Sequence, residues 1–161
     1  DYGKPIILVL NKWDAINYKS KFIKDFTNKM KYSLSQINGL KILPTSGLTK
    51  FGIQDLIEEL IKIYNTSKKR ISTSDLNQWF KIITNNNPPP LVNGKKNTLK
   101  YISQVDNCPP FFVINCSYPS KLPKSYIRYV QNNLIKTFKF NSVPIKFKIK
   151  KSSNPFTNQK S

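Results

Sequence analysis

Nine consecutive residues, Asn65-Thr66-Ser67-Lys68-Lys69-Arg70-Ile71-Ser72-Thr73, hold a single apolar side chain, so no continuous core runs through them. A polar seam of this kind reads as a connection between two folding units. It sets residues 1–66 against residues 74–151, with 67–73 as the linker and 152–161 as a tail expected to fray. Units this small bury thin cores, so each strand and helix must commit one face to them.

The first unit alternates two kinds of pattern. Ile6 to Leu10 is an unbroken apolar run, as in a parallel strand covered on both faces. A lysine-rich segment from about Ser20 to Ser35 carries Phe22, Ile23, Phe26, Met30 and Leu34 at near-helical spacing, and Leu40 to Pro44 is a second short apolar run. Ile53, Leu56, Ile57, Leu60, Ile61 and Tyr64 then fall at i, i+3, i+4, i+7, i+8 and i+11, which predicts an amphipathic helix with that face buried. The order strand, helix, strand, helix implies parallel pairing in an α/β layer. Two strands and so few helices cannot cover a parallel sheet, and residues 1–66 alone are expected to fold poorly.

The second unit has a different order. Ser74 is a candidate N-cap for a helix bearing Leu76, Trp79, Phe80 and Ile83, which must stop before Asn85-Asn86-Asn87-Pro88-Pro89-Pro90. Strands are expected at Leu99–Val105 and Phe111–Cys116, and a helix from about Lys124 to Phe138 with Tyr126, Ile127, Val130, Leu134 and Phe138 inward. Val143, Ile145, Phe147 and Ile149 alternate with Lys146, Lys148 and Lys150, so a last strand turns one face to the core and a row of ammonium groups outward. Helix, strand, strand, helix, strand predicts a small α+β unit with both helices on one face of a three-stranded sheet.

Charge is concentrated in that unit. The chain carries 27 Lys+Arg against 8 Asp+Glu, a net charge of +19. Residues 1–66 hold 10 lysines and 6 acids, net +4, while residues 67–161 hold 15 lysines, 2 arginines and 2 acids, net +15. No acid follows Asp106, as suits a surface that faces phosphate; a compositional drift towards Lys and Asn is the alternative. Two rows are candidate RNA-binding surfaces: Lys124, Arg128, Asn132 and Lys136 at every fourth position of a helix, and Lys146, Lys148 and Lys150 on the last strand. Solvated helix surface, or lysines guarding an edge strand, would give the same rows. Cys108 and Cys116, without any His, read as reduced thiols of a cytoplasmic protein. No apolar run reaches the roughly 18 residues of a membrane span.

Directly after the first apolar run stands Asn11-Lys12-Trp13-Asp14, the NKxD pattern of guanine recognition. With 18 Asn, 25 Lys and 6 Asp in the chain, chance alone yields roughly 0.1 such matches, so context must discriminate. The motif lies at the carboxyl end of a predicted strand, where open α/β sheets bind ligands, and the next strand ends in Thr45-Ser46-Gly47-Leu48. The Asp14 carboxylate can accept both N1–H and the N2 amino group of guanine, a donor pair that adenine lacks. Asn11 can donate to N7 and tie the loops together, the Lys12 stem can lie on the ring, and the Ser46-Gly47 backbone can donate to O6. Asp14 as a simple turn cap is the competing reading.

Together with later motifs, these residues resemble the bacterial Der (EngA) GTPases, which carry two GTPase domains in tandem and a C-terminal KH-like domain. The motifs are Arg70-Ile71-Ser72-Thr73-Ser74-Asp75-Leu76-Asn77, Pro88-Pro89-Pro90, Lys100-Tyr101-Ile102-Ser103-Gln104 and Pro109-Pro110-Phe111-Phe112-Val113. Ser125-Tyr126-Ile127-Arg128-Tyr129-Val130, Val143-Pro144-Ile145-Lys146-Phe147 and Asn154-Pro155-Phe156 complete them. The resemblance implies the C-terminal part of a P-loop GTPase domain in 1–66 and a KH-like domain in 74–151. It further implies GTP or GDP as ligand, and the large ribosomal subunit and its rRNA as partner, in a factor for assembly of that subunit. The first GTPase domain, and the phosphate loop, switch segments and Mg²⁺ site of the second, have no counterpart in the sequence, which contains no GxxxxGK[ST]. Hydrolysis of GTP by this chain alone is therefore not expected. Gly47 replaces the alanine usual in that loop, and Ser142-Val143 stands where the family has glycine before its last strand. No GxxG occurs, so the RNA clamp usual in KH modules is absent and contact would rely on charge and shape. A non-enzymatic RNA- or ribosome-binding module, or a remnant of a truncated gene, is the alternative.

Overall fold

The computed structural model describes residues 4–33 and 40–152. Leu34 of the first predicted helix, the Asn154-Pro155-Phe156 motif and residues 153–161 of the predicted tail lie outside that range. The architecture is an α/β unit followed by an α+β unit with a three-stranded sheet, as the patterns predict.

In the first unit, β1 (Ile7–Leu10) pairs in parallel with β2 (Lys41–Pro44), Leu8 opposite Ile42 and Leu10 opposite Pro44. Helix α1 (Lys19–Ser33) connects them, and α2 (Ile53–Ser67) follows β2. Two expectations of burial fail here. No residue of β1 is fully buried, and Val9 is 42% exposed. On α2 the predicted inward residues Ile57, Leu60, Ile61 and Tyr64 are 45–55% exposed, while Ile63 is buried. Glu59 pairs with Lys41 of β2 at 3.8 Å, so the side bearing Glu59 and Ile63 meets the sheet. Two strands spaced about 4.8 Å apart are too narrow to cover the whole apolar arc of a helix about 10 Å across.

The second unit closes a full core. Helix α3 (Thr73–Asn86) and helix α4 (Lys124–Phe138) pack on one face of a sheet ordered β3 (Leu99–Asn107), β4 (Pro110–Cys116), β5 (Lys146–Lys151). β3–β4 is an antiparallel hairpin and β4–β5 is parallel, with α4 in the crossover. Leu76, Ile102, Phe112, Ile114, Val130, Leu134 and Phe140 are completely buried. Tyr126, Val130 and Leu134 form the inner side of α4, with Ile127 and Phe138 half-buried. β5 begins at Lys146, three residues later than the alternation suggests, although Val143 and Ile145 are buried ahead of it.

Ser72, not Ser74, caps α3: its hydroxyl accepts from the Asp75 amide at 3.0 Å. The helix therefore starts closer to the seam, and the seam itself is partly absorbed into the core. Ile71 is buried in the α+β unit, its amide donating to Gln104 Oε1 at 2.8 Å while Gln104 Nε2 donates to the Lys69 carbonyl. Two asparagines act alike: Asn77 bonds both backbone groups of Ile102, and buried Asn97 bonds both of Tyr118. At the far end of α3, Tyr126 donates to the Asn87 carbonyl at 2.7 Å and Tyr129 to that of Ile83 at 3.2 Å. Burial, and secondarily the neighbouring Tyr129, pushes the Tyr126 phenol up to about 12. Burial likewise raises the Cys116 thiol, while Cys108 is exposed; both cysteines are free.

Candidate functional site

The loops that leave β1 and β2 at their carboxyl ends are stitched to each other. The Thr45 amide donates to the Leu10 carbonyl at 2.8 Å and the Trp13 amide to the Thr45 carbonyl at 2.9 Å. Trp13 is buried and meets Phe22 of α1 edge-on with centroids 6.1 Å apart, which anchors the 3₁₀ turn Trp13–Ala15. Ahead of it Lys12 takes a left-handed backbone (φ 59°), so the chain reverses sharply after Asn11. Burying the Trp between two charged neighbours leaves Lys12 and Asp14 on the solvent side.

Asn11 Oδ1 accepts the Lys12 amide at 2.8 Å and the Gly47 amide at 3.3 Å, bridging the loops. The fully buried Ser46 hydroxyl donates to Asp14 Oδ1 and accepts from the Thr49 amide at 3.1 Å. That hydroxyl chiefly, with the Asp14 backbone amide and then Lys19 and Lys12, holds the Asp14 carboxyl below 3.8 against a smaller opposing effect of desolvation. Asn11, Lys12, Asp14, Ala15, Gly47 and Leu48 line one open concavity of about 310 Å³.

The five sequence candidates thus converge, four on the concavity and Ser46 behind it. Both backbone amides of the Ser46-Gly47 pair are engaged, the Ser46 amide on the Phe51 carbonyl at 2.9 Å and the Gly47 amide, by the longer contact, on Asn11 Oδ1 at 3.3 Å. Leu48 of the second loop, 84% exposed, stands on the rim, and Ala15, next to Asp14, is a lining residue that motif reading passed over. Gly52 was passed over too. Its backbone is left-handed (φ +69°), and a Cβ there would lie 2.3 Å from the Pro44 carbonyl oxygen. Only glycine lets α2 start this close to the end of β2. Gly47 is unlike it, since a Cβ at that position would meet nothing within 4 Å.

The two basic rows of the second unit are exposed, but they do not meet. Lys124, Arg128, Asn132 and Lys136 run along α4 on the side away from the sheet. Lys146, Lys148 and Lys150 stand in register with Phe111, Val113 and Asn115, whereas Phe147 and Ile149 stand with core residues Phe112 and Ile114. The lysines therefore project from the sheet face opposite α3 and α4. Among the described residues no cluster of three His, Cys, Asp or Glu could hold a metal, and no helix is long and apolar enough to cross a membrane.

The profile of the KH-domain-like region at the C-terminus of EngA bacterial GTPases matches residues 70–150, half of the chain. The chain belongs to the Der (EngA) family. GTPase Der of Bartonella tribocorum is 38% identical over 154 residues, covering 96% of this chain and 32% of that protein. GTPase Der of Brucella suis shows the same identity and coverage, and that of Allorhizobium ampelinum is 37% identical over 158 residues. The chain spans about a third of the length of these curated relatives. The EngA match begins at Arg70, within the segment that Gln104 pins to the second unit, and runs to Lys150 on β5. Several Der-like motif residues have fold-building roles here: Asn77, Gln104 and Tyr126 each satisfy backbone groups of another segment.

Proposed function

We propose that this chain is the C-terminal portion of a GTP-binding, GTP-hydrolysing factor that acts in the cytoplasm in assembly of the large ribosomal subunit. Residues 1–66 would be the base-reading end of the second GTPase domain, and 74–151 the KH-like domain that engages rRNA. The observation that carries the nucleotide reading is the convergence of Asn11, Asp14 and Gly47 on one concavity, with Ser46 bonded to Asp14 from behind. The donor set fits guanine. Asp14, ionised at neutral pH, can accept N1–H and N2–H, since an oxygen already engaged by Ser46 retains a second lone pair. Asn11 turns its carbonyl to the loops, which directs its amide nitrogen to serve as the N7 donor. The Gly47 N–H, held to Asn11 Oδ1 only by a 3.3 Å contact, can be shared with O6, and the Lys12 stem can cover the ring.

GTP supplies the phosphoanhydride to be hydrolysed; the residues here bind and orient its base. Phosphate and Mg²⁺ contacts would come from GTPase segments outside this chain, which relatives three times as long have room to carry. For RNA, support comes from a basic unit with exposed rows on α4 and β5 and no GxxG loop.

The test joins this chain to the preceding segments of a Der relative. Two charge-assisted bonds of about 1.5–3 kcal/mol each predict that Asp14→Ala lowers affinity for GTP about 10²- to 10⁴-fold while leaving weak ATP binding unchanged. Unaltered preference for GTP over ATP in that variant refutes the base-reading role. Retained RNA binding in the same chimera would then leave the RNA-binding-module reading standing.

A further inference from the structure

The sheet of the second unit has one face under α3 and α4 and another on which no described helix packs. On that open face β5 is a column of Lys146, Lys148 and Lys150. Beside it, on β4, Phe111 lies level with Lys146, and on β3 the ring of Tyr101, 48% exposed, lies in the row of Lys150. The acid of this face, Asp106, sits opposite Phe111 and is separated from the lysines by β4. Same-face residues two apart on a strand are about 6.6 Å apart, comparable to successive phosphates of an extended single strand. The basic stripe of α4 points the opposite way, so one RNA helix cannot touch both rows.

We propose that the open sheet face is a second RNA-binding surface, specific for unpaired single-stranded RNA, and that the domain thereby bridges two RNA segments, one on each side. This rests on the reading of the KH-like domain as an RNA binder. The aromatic rings decide the class of RNA. A duplex hides its base faces and would use only the lysines, whereas unpaired bases can stack on the exposed Tyr101 ring, with the half-buried Phe111 on the same face, while their phosphates follow the lysine column. An edge strand needs charge to resist aggregation and the three lysines also meet that need, but it does not account for the exposed Tyr101 ring on β3 in the row of Lys150.

The experiment uses the full chain with two probes, an unstructured RNA of about 12 nucleotides and a blunt RNA duplex. Replacing Lys146, Lys148 and Lys150 by Gln should reduce the slope of log affinity against log salt by about 2 for the single strand, at about 0.7 per lost phosphate contact, and leave the duplex unaffected. Tyr101→Ala should weaken the single strand by about fivefold or more, with Tyr101→Phe restoring it. Parent protein should co-capture the two labelled probes, and Lys124→Gln/Arg128→Gln/Lys136→Gln should lose the duplex only. Unchanged melting temperatures establish that these exposed substitutions leave the fold intact. Single-strand binding indifferent to the β5 substitutions overturns the proposal, as does a 1:1 complex in which the probes exclude each other. Displacement of the single strand by polyglutamate at equal charge would reassign the face to acidic protein. Duplex bound through α4 with no sheet-face effect defeats this inference alone; failure to bind either probe defeats the underlying RNA reading with it.

Discussion

Asn77 joins α3 to the free edge of the sheet. Its Nδ2 donates to the carbonyls of Ile102 at 2.9 Å and Thr73 at 2.8 Å, and its Oδ1 accepts the Ile102 amide at 3.0 Å. Ile102 is completely buried on an edge strand, so this side chain takes the place of a missing neighbouring strand. Asn77→Leu keeps the volume and orphans both Ile102 groups. At about 1–3 kcal/mol per unsatisfied buried group, and at the lower end because the site is part-buried, the loss should be about 2–4 kcal/mol. For a unit of this size that lowers the melting temperature by about 10–25 °C. Asn77→Asp adds a test of sign. Its carboxylate can still accept the Ile102 amide but opposes two carbonyl oxygens, so folding raises its pKa. The protonated form can donate, and stability is present below the unfolded pKa and lost as pH rises through the folded one. Calorimetry at about pH 4 and about pH 7 should show the Asp variant much closer to parent at the lower pH, with the Leu deficit independent of pH. A Leu variant melting within about 4 °C of parent, or an Asp variant without pH dependence, refutes the account.

The two glycines between β2 and α2 should respond oppositely. Gly52→Ala combines left-handed strain of about 1–2 kcal/mol with a clash against Pro44, whereas Gly47→Ala fits and should stabilise by about 0.4–1 kcal/mol. Amide exchange at Trp13 and Thr45, whose bonds latch the loops, should quicken in the first and not in the second; the reverse order would refute this. The Asp14 carboxyl, followed by carbon-detected NMR, should titrate below 3.8 and rise towards that value in Ser46→Ala. Because the folded pKa is depressed, the contribution to stability is present above pH 3.8 and lost as pH falls through the folded value. Titration unaffected by Ser46→Ala would show that the hydroxyl does not hold the carboxylate.

Helix α4 was legible because its apolar spacing and its four-residue row of polar and basic side chains agree. The NKxD motif was legible as four letters, and the loop pairing of Asn11 with Gly47 follows from the ends of adjacent parallel strands. Gly52 was not. A glycine before a helix looks ordinary until the Pro44 carbonyl is found against it. The α3 cap went to Ser72 over Ser74 because Ile71 is drawn into the core, which brings the helix start with it.

Periodicity and composition by themselves determined the elements, their order and the basic bias of the second unit, because these depend on neighbours within a few residues. Tertiary structure decided which apolar faces find a partner. α2 has a strong apolar stripe, yet Ile57, Leu60, Ile61 and Tyr64 stay open because the two-strand sheet is too narrow to meet them. It also decided that the lysines of α4 and β5 point apart. A strand's alternation shows that its faces differ, but only packing decides which face receives the helices.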